Sequence, residues 1–153
     1  MPMANEIMTL LNEINRAIIQ FRGIYSTWSG SLGISYNEML VFYTIREQGY
    51  CTQKQICDHY LLPRQTMHHV ITGMRKNGLL QYSRMHSFGR EKAFVLSAKG
   101  QACAKPFLQA LNDVETRAVS GLGADKLQAL TQLLLQYNQA LQDAMDEQKE
   151  HRI

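Results

Sequence analysis

Residues 63–78 read PRQTMHHVITGMRKNG. Met67, Val70, Ile71 and Met74 recur at i, i+3, i+4 and i+7, the stripe of a helix that buries one face. The opposite face carries Arg64, Gln65, Thr66, His68, His69, Thr72 and Lys76, with no acid among them. Paired histidines can ligate a metal, serve catalysis or project toward a partner. Adjacent residues on a helix diverge by about 100°, whereas i, i+4 spacing would let two imidazoles converge on one ion. The pair is therefore a poor metal site and a better pair of outward polar groups.

The surrounding charge favours a polyanionic partner. Residues 61–100 hold seven lysines and arginines (Arg64, Arg75, Lys76, Arg84, Arg90, Lys92 and Lys99) against one acid, Glu91. The whole chain is only +3, so the remainder is net negative. Phosphate neutralisation supplies most non-specific affinity for nucleic acid. On such a helix Gln65, Thr66, His68 and His69, near the N-terminus, suit base edges. Arg64 suits bases or phosphate, and Lys76, Arg84 and Lys92 suit phosphates.

The bulk properties fit this reading. A chain of 153 residues with 45% hydrophobic content can bury one core. No apolar run nears the roughly 18 residues of a membrane span, and MPMANEIM lacks a signal-like start. Cys51, Cys57 and Cys103 form no CxxC pair, which fits a reducing, cytoplasmic setting. Cys57 and Cys103 read as buried hydrophobes; Cys51, beside Gly49 and Tyr50, reads as more exposed. No GxSxG, P-loop, HExxH or GxGxxG occurs, and a Cys–His pair from Cys51 or Cys57 with His59 lacks an orienting acid. A non-enzyme without cofactor or metal is expected.

Outward from the quoted helix, the chain alternates clear elements. Ile7, Leu11, Ile14, Ile18, Phe21, Tyr25 and Trp28 are spaced 4, 3, 4, 3, 4 and 3, a heptad-like seam on a long helix with Asn5 as N-cap and SGSLG as terminator. Ser35-Tyr-Asn-Glu38 opens a second helix to about Gln48, and Thr52-Gln-Lys-Gln55 a short third one to about Tyr60. Pro63 and Gly78 bound the fourth. LLQYSRM (79–85) and EKAFVLS (91–97) read as strands around a turn at HSFGR. Ser97 caps a fifth helix that Pro106 should kink or delay, SGLG (120–123) breaks the chain, and a last leucine-rich helix frays in DEQKEHRI. The expected fold is mainly α with a small β-hairpin wing. A winged helix-turn-helix at 35–100 is flanked by dimerisation helices at 1–34 and 101–153, interlocked as one domain.

The stretch TQKQICDHYLLPRQTMHHVITGMRKNGLL (52–80) resembles the middle of the MarR family of bacterial transcriptional regulators. Thr52, Ile56, Thr66, Met67, Val70, Met74, Gly78, Leu79 and Leu80 occupy the family's characteristic places, and FVLSAKG (94–100) resembles its strand-to-helix motif. The resemblance implies a homodimer that binds a palindromic operator in double-stranded DNA, usually as a repressor, and releases it on binding a small aromatic or lipophilic effector. It implies DNA contacts from Thr52, Gln53, Arg64, Gln65, Thr66, His68, His69, Lys76, Arg84, Arg90 and Lys92, with Arg90 in the minor groove. The family's effector pocket would fall at Tyr25, Trp28, Tyr36, Phe42 and Tyr43. Two departures stand out: Phe88 replaces the Asp that usually pairs with the wing arginine, and Pro63 replaces a Ser N-cap. A thiol switch at Cys51, and a winged-helix module that binds protein rather than DNA, are the alternatives.

Overall fold

The computed structural model describes residues 3–151, and Met1, Pro2, Arg152 and Ile153 lie outside it. Helix α1 (Ala4–Ser31) starts one residue before the expected cap. Glu6 accepts the Met3 N–H at 2.9 Å, so Met3 takes the N-cap and Asn5 lies inside the first turn. Helix α2 (Tyr36–Gln48) opens on the foreseen box: Ser35 Oγ accepts from Glu38 N–H at 3.2 Å, and Glu38 accepts from Ser35 N–H at 2.8 Å. Met39, Leu40, Val41, Phe42, Thr44 and Ile45 are all buried, which makes α2 the central helix of its lobe.

A two-residue strand, β1 (Cys51–Thr52), precedes α3 (Gln53–Tyr60) and was too short to leave a sequence pattern. Thr52 Oγ1 caps α3 by accepting the Gln55 N–H at 3.1 Å, and Gln55 reciprocates at 2.9 Å. After Leu61 and Leu62, α4 (Arg64–Lys76) begins with Pro63 at the N-cap. Met67, Ile71 and Met74 are buried and Val70 half-buried, as the stripe requires. With Val41, Phe42 and Ile56 these side chains form the lobe's interior. Each fully buried aliphatic or aromatic group there is worth about 1.5–3 kcal/mol.

The wing pairs β2 (Leu80–Phe88) with β3 (Glu91–Leu96), and β3 also pairs with β1, giving the antiparallel order β1-β3-β2. Strand β2 runs three residues beyond its expected end. Its register slips between Ser83 and Phe88, and Ser87 bridges the gap: its hydroxyl donates to Ser83 O at 2.6 Å and accepts the Ala93 N–H at 2.9 Å. Gly89, with φ +58, then turns the chain back in a conformation that disfavours any Cβ.

Helix α5 (Ala98–Leu122) is capped by Ser97, whose Oγ accepts the Gly100 N–H at 2.9 Å. Pro106 does not interrupt it; the helix passes through as one element. Helix α6 (Ala124–Glu150) likewise outlasts the expected fraying, because Gln142–Asp146 at 2.8 Å and Asp146–Lys149 at 3.0 Å pair across its last turns. The chain divides into two compact units, Met1–Leu108 and Gln109–Ile153, which groups α1 with the winged-helix lobe and cuts inside α5.

Candidate nucleic-acid interface

Arg64, Gln65, Thr66, His68, His69, Thr72 and Lys76 are all exposed, because the buried stripe fixes the rotation of α4 and leaves them the other face. That face has two edges. Arg64, His68, Thr72 and Arg75, at i, i+4, i+8 and i+11, line a cleft of about 450 Å³ shared with Gln53 and Lys54 of α3 and with Arg90, Glu91 and Lys92 of the wing. His69 and Gln65 lie outside that cleft lining. The two histidines therefore address different places, one toward the wing and one away from it. Lys76 sits at the far end of α4 and Arg84 on β2, both exposed.

Internal contacts hold the cleft in shape. Gln53 Nε2 donates to Arg64 O at 2.9 Å, tying the start of α3 to the start of α4. Thr52 Oγ1 donates to Glu91 Oε1 in a short hydrogen bond, anchoring the base of the wing tip to β1. Arg75 lies over the Phe94 ring, 5.2 Å from its centroid, and joins α4 to the central strand. Glu91 is the lone acid in the lining. Lys54 pairs with Asp58 one turn on, and that hydrogen bond holds the Asp58 carboxyl below its usual range and the Lys54 ammonium above its own. The result is a concave, largely cationic surface with hydrogen-bonding groups of both polarities beside it, which suits phosphates at the rim and base edges in the middle.

No family model matches the sequence, and no curated protein does either. Solved structures do. NMB1585, a MarR family regulator from Neisseria meningitidis, aligns over 90% of this chain and 97% of its own with a TM-score of 0.81 and 22% identity. A mutant MarR from E. coli complexed with operator DNA aligns over 90% and 99% with a TM-score of 0.68 and 17% identity. Bordetella bronchiseptica BpsR, whose DNA binding is regulated by 6-hydroxynicotinic acid, aligns over 85% and 98% with a TM-score of 0.67 and 18% identity. The fold is that of the MarR regulators.

Within this MarR fold four sequence expectations need correction. Thr52 is buried, and its hydroxyl is used by the α3 cap and by Glu91, so it shapes the interface rather than facing a ligand. Cys51 is fully buried in β1, and burial pushes its thiol up to about 12. It stays a protonated thiol at physiological pH, which removes the nucleophile a thiol switch needs. Cys103, by contrast, is half-buried rather than buried. Gln53 is half-buried and mainly positional. The sequence reading left Arg75 without a role, although its place eleven residues after Arg64 marks the same helix edge. No sequence signal announces the link of Glu91 to Thr52.

The aromatic set of this MarR fold is split. Phe42 is fully buried and Trp28 half-buried; both approach Phe107 of α5, with centroids 6.1 and 5.5 Å from it. Phe42 is therefore packed in the core. Tyr25 lies 5.1 Å from Phe21, Tyr36 carries Arg22 over its ring at 5.1 Å, and Tyr43 carries Arg46 at 4.4 Å. Among the described residues no group of three or more His, Cys, Asp or Glu could hold a metal, and no helix is long and apolar enough to cross a membrane.

Proposed function

We propose that the protein is a sequence-specific DNA-binding transcriptional regulator that acts as a homodimer on a palindromic operator, as a repressor, under the control of a small aromatic or lipophilic effector. One observation carries the reading: the exposed edge of α4 and the cations of the wing meet in a single cleft whose lining holds one acid. Helix α4 would lie in the major groove with Gln65, Thr66, His68 and His69 at base edges. Arg64 and Lys76 would hold phosphates, and Arg90 and Lys92 would follow the backbone toward the minor groove. The MarR and BpsR neighbours, named for operator binding and effector control, support the same direction.

The surface of α1 supports dimerisation. Ile19 and Ile24 are 72% and 70% exposed, and Ile7, Leu10 and Phe21 are more than half exposed. In the other unit, Leu133 and Leu135 of α6 are each 64% exposed. Apolar faces of this size mark association surfaces. A two-fold pairing would place two α4 helices about 10 bp apart on DNA and make the second contact intramolecular. An effector acts only by binding the form that does not fit DNA better than the form that does. Trp28, Tyr25, Tyr36 and Tyr43, none of them fully buried, are the residues such a molecule would meet.

The test is a fluorescence anisotropy titration with DNA from immediately upstream of the gene, repeated in added salt and in excess random duplex. Binding that survives random competitor is expected. Binding erased equally by random DNA would leave only a basic scaffold and favour a protein-binding module.

A further inference from the structure

Phe88 stands at the tip of the wing and is 90% exposed, more than any other large apolar side chain among the described residues. The hairpin is built so that it protrudes. Phe88 pairs with Glu91 across a two-residue turn, Gly89 and Arg90, with Gly89 held at φ +58. The slipped register before it, bridged by Ser87, sets the tip apart from the regular ladder that ends at Ser83. Glu91, the only acid on the hairpin, is engaged by the Thr52 hydroxyl, while Arg84, Arg90 and Lys92 of the same hairpin are all exposed. A bare aromatic ring two residues from Arg90 and four from Lys92, both of which line the α4 cleft, fits a duplex whose phosphates take the cations and whose base steps admit the ring.

We propose that Phe88 is an apolar wedge that enters a base step of the minor groove beside Arg90, unstacking it and bending the duplex. The proposal rests on the regulator reading above. Apolar side chains inserted this way exchange unstacking free energy for the extra surface that a bent duplex can wrap. They also select for steps that unstack readily, such as TA and CA. Phe88 then becomes a specificity-determining residue that reads deformability and makes no base hydrogen bond.

The experiment uses the full chain and a duplex recovered by the wild-type protein from a random pool. 2-Aminopurine replaces single adenines along the flanks. On binding, fluorescence should rise at one step in each flank. Phe88→Ala should abolish that rise and weaken binding roughly tenfold with an unchanged melting temperature. Phe88→Leu should keep part of both, and Arg90→Ala should weaken binding while keeping the fluorescence rise. Full affinity in Phe88→Ala, or no rise with the wild type, overturns the wedge and leaves the regulator intact. Phe88→Ala that loses only binding to phosphatidylglycerol vesicles also overturns it. If the wild type recovers no duplex at all, the wedge and the regulator fall together.

Discussion

Helices α1 and α4 are both amphipathic, and they leave opposite faces bare. In α4 the apolar stripe of Met67, Ile71 and Met74 is buried within the lobe, and what remains outside is arginine, glutamine and histidine. In α1 the only buried residue is Ser29, and what remains outside includes Ile7, Leu10, Ile19, Phe21 and Ile24. A polar, cationic bare face asks for a hydrated polyanion. An apolar bare face asks for another protein surface. The chain thus displays two unmet requirements, and on the proposed reading pairing through the second raises the affinity of the first.

The largest expected effect comes from spoiling α1. Ile14 and Phe21 lie on the heptad-like seam and are 44% and 60% exposed, so glutamates there should leave the subunit folded. Ile14→Glu combined with Phe21→Glu should give a monomer by sedimentation velocity, with operator affinity reduced about 10²–10⁴-fold through loss of the intramolecular second contact. A double variant that sediments as a dimer would show that the seam is not the interface, and the contrast between the two helices would lose its meaning.

The same small change should have opposite signs in the two regions. A Cβ on Gly100, at the junction of the wing with α5, would sit 2.0 Å from Leu79 O, a backbone atom that cannot step aside. Gly100→Ala should therefore destabilise the protein by about 3 kcal/mol in urea titration, in the range of severe overpacking. Gly23 on α1 has nothing within 4 Å of a built Cβ. Gly23→Ala should stabilise the helix by about 0.5–1 kcal/mol. If it instead weakens dimerisation, the partner's backbone approaches α1 at that turn, which would locate the crossing point.

On the polar side, His68→Ala and Gln65→Ala should each cost about 1–3 kcal/mol at one base position while sparing the others, measured as a shift in the selected sequence preference. Because His68 lines the cleft toward the wing and Gln65 does not, the two variants should alter different positions of the half-site. An unchanged preference in both would move base reading elsewhere on α4.

What the sequence disclosed follows from how locally each feature is encoded. The stripe on α4, the Ser35–Glu38 and Thr52–Gln55 boxes and the Ser97 cap are set by residues three or four apart, and the structure shows them as read. The features that escaped are non-local. Strand β1 exists only because Cys51 and Thr52 pair with Phe94 and Ala93, some forty residues on. That pairing buries Cys51, which the adjacent Gly49 and Tyr50 made look exposed. It also places Thr52 beside Glu91 and so withdraws it from the predicted contact set. Pro106 does not delay α5, which begins at Ala98 and runs through the proline, with Ala104 and Phe107 buried on either side.

Leu61 can sharpen the comparison. It is a large apolar side chain, 84% exposed, in a lobe that bares Met85 and Phe88 only on the wing, and it sits between α3 and α4 at φ +51. A left-handed conformation costs a residue with a Cβ about 1–2 kcal/mol, and glycine removes that cost while adding about 0.4–1 kcal/mol of unfolded-state entropy. Leu61→Gly should therefore raise stability by roughly 0.5–1 kcal/mol in chemical denaturation. Its effect on DNA affinity separates two origins for the strain. An unchanged affinity makes Leu61 a tolerated local misfit and leaves Phe88 as the apolar contact proposed for the lobe. A loss of affinity means that the strained leucine is held out toward the duplex, and the lobe uses a second apolar contact there besides Phe88.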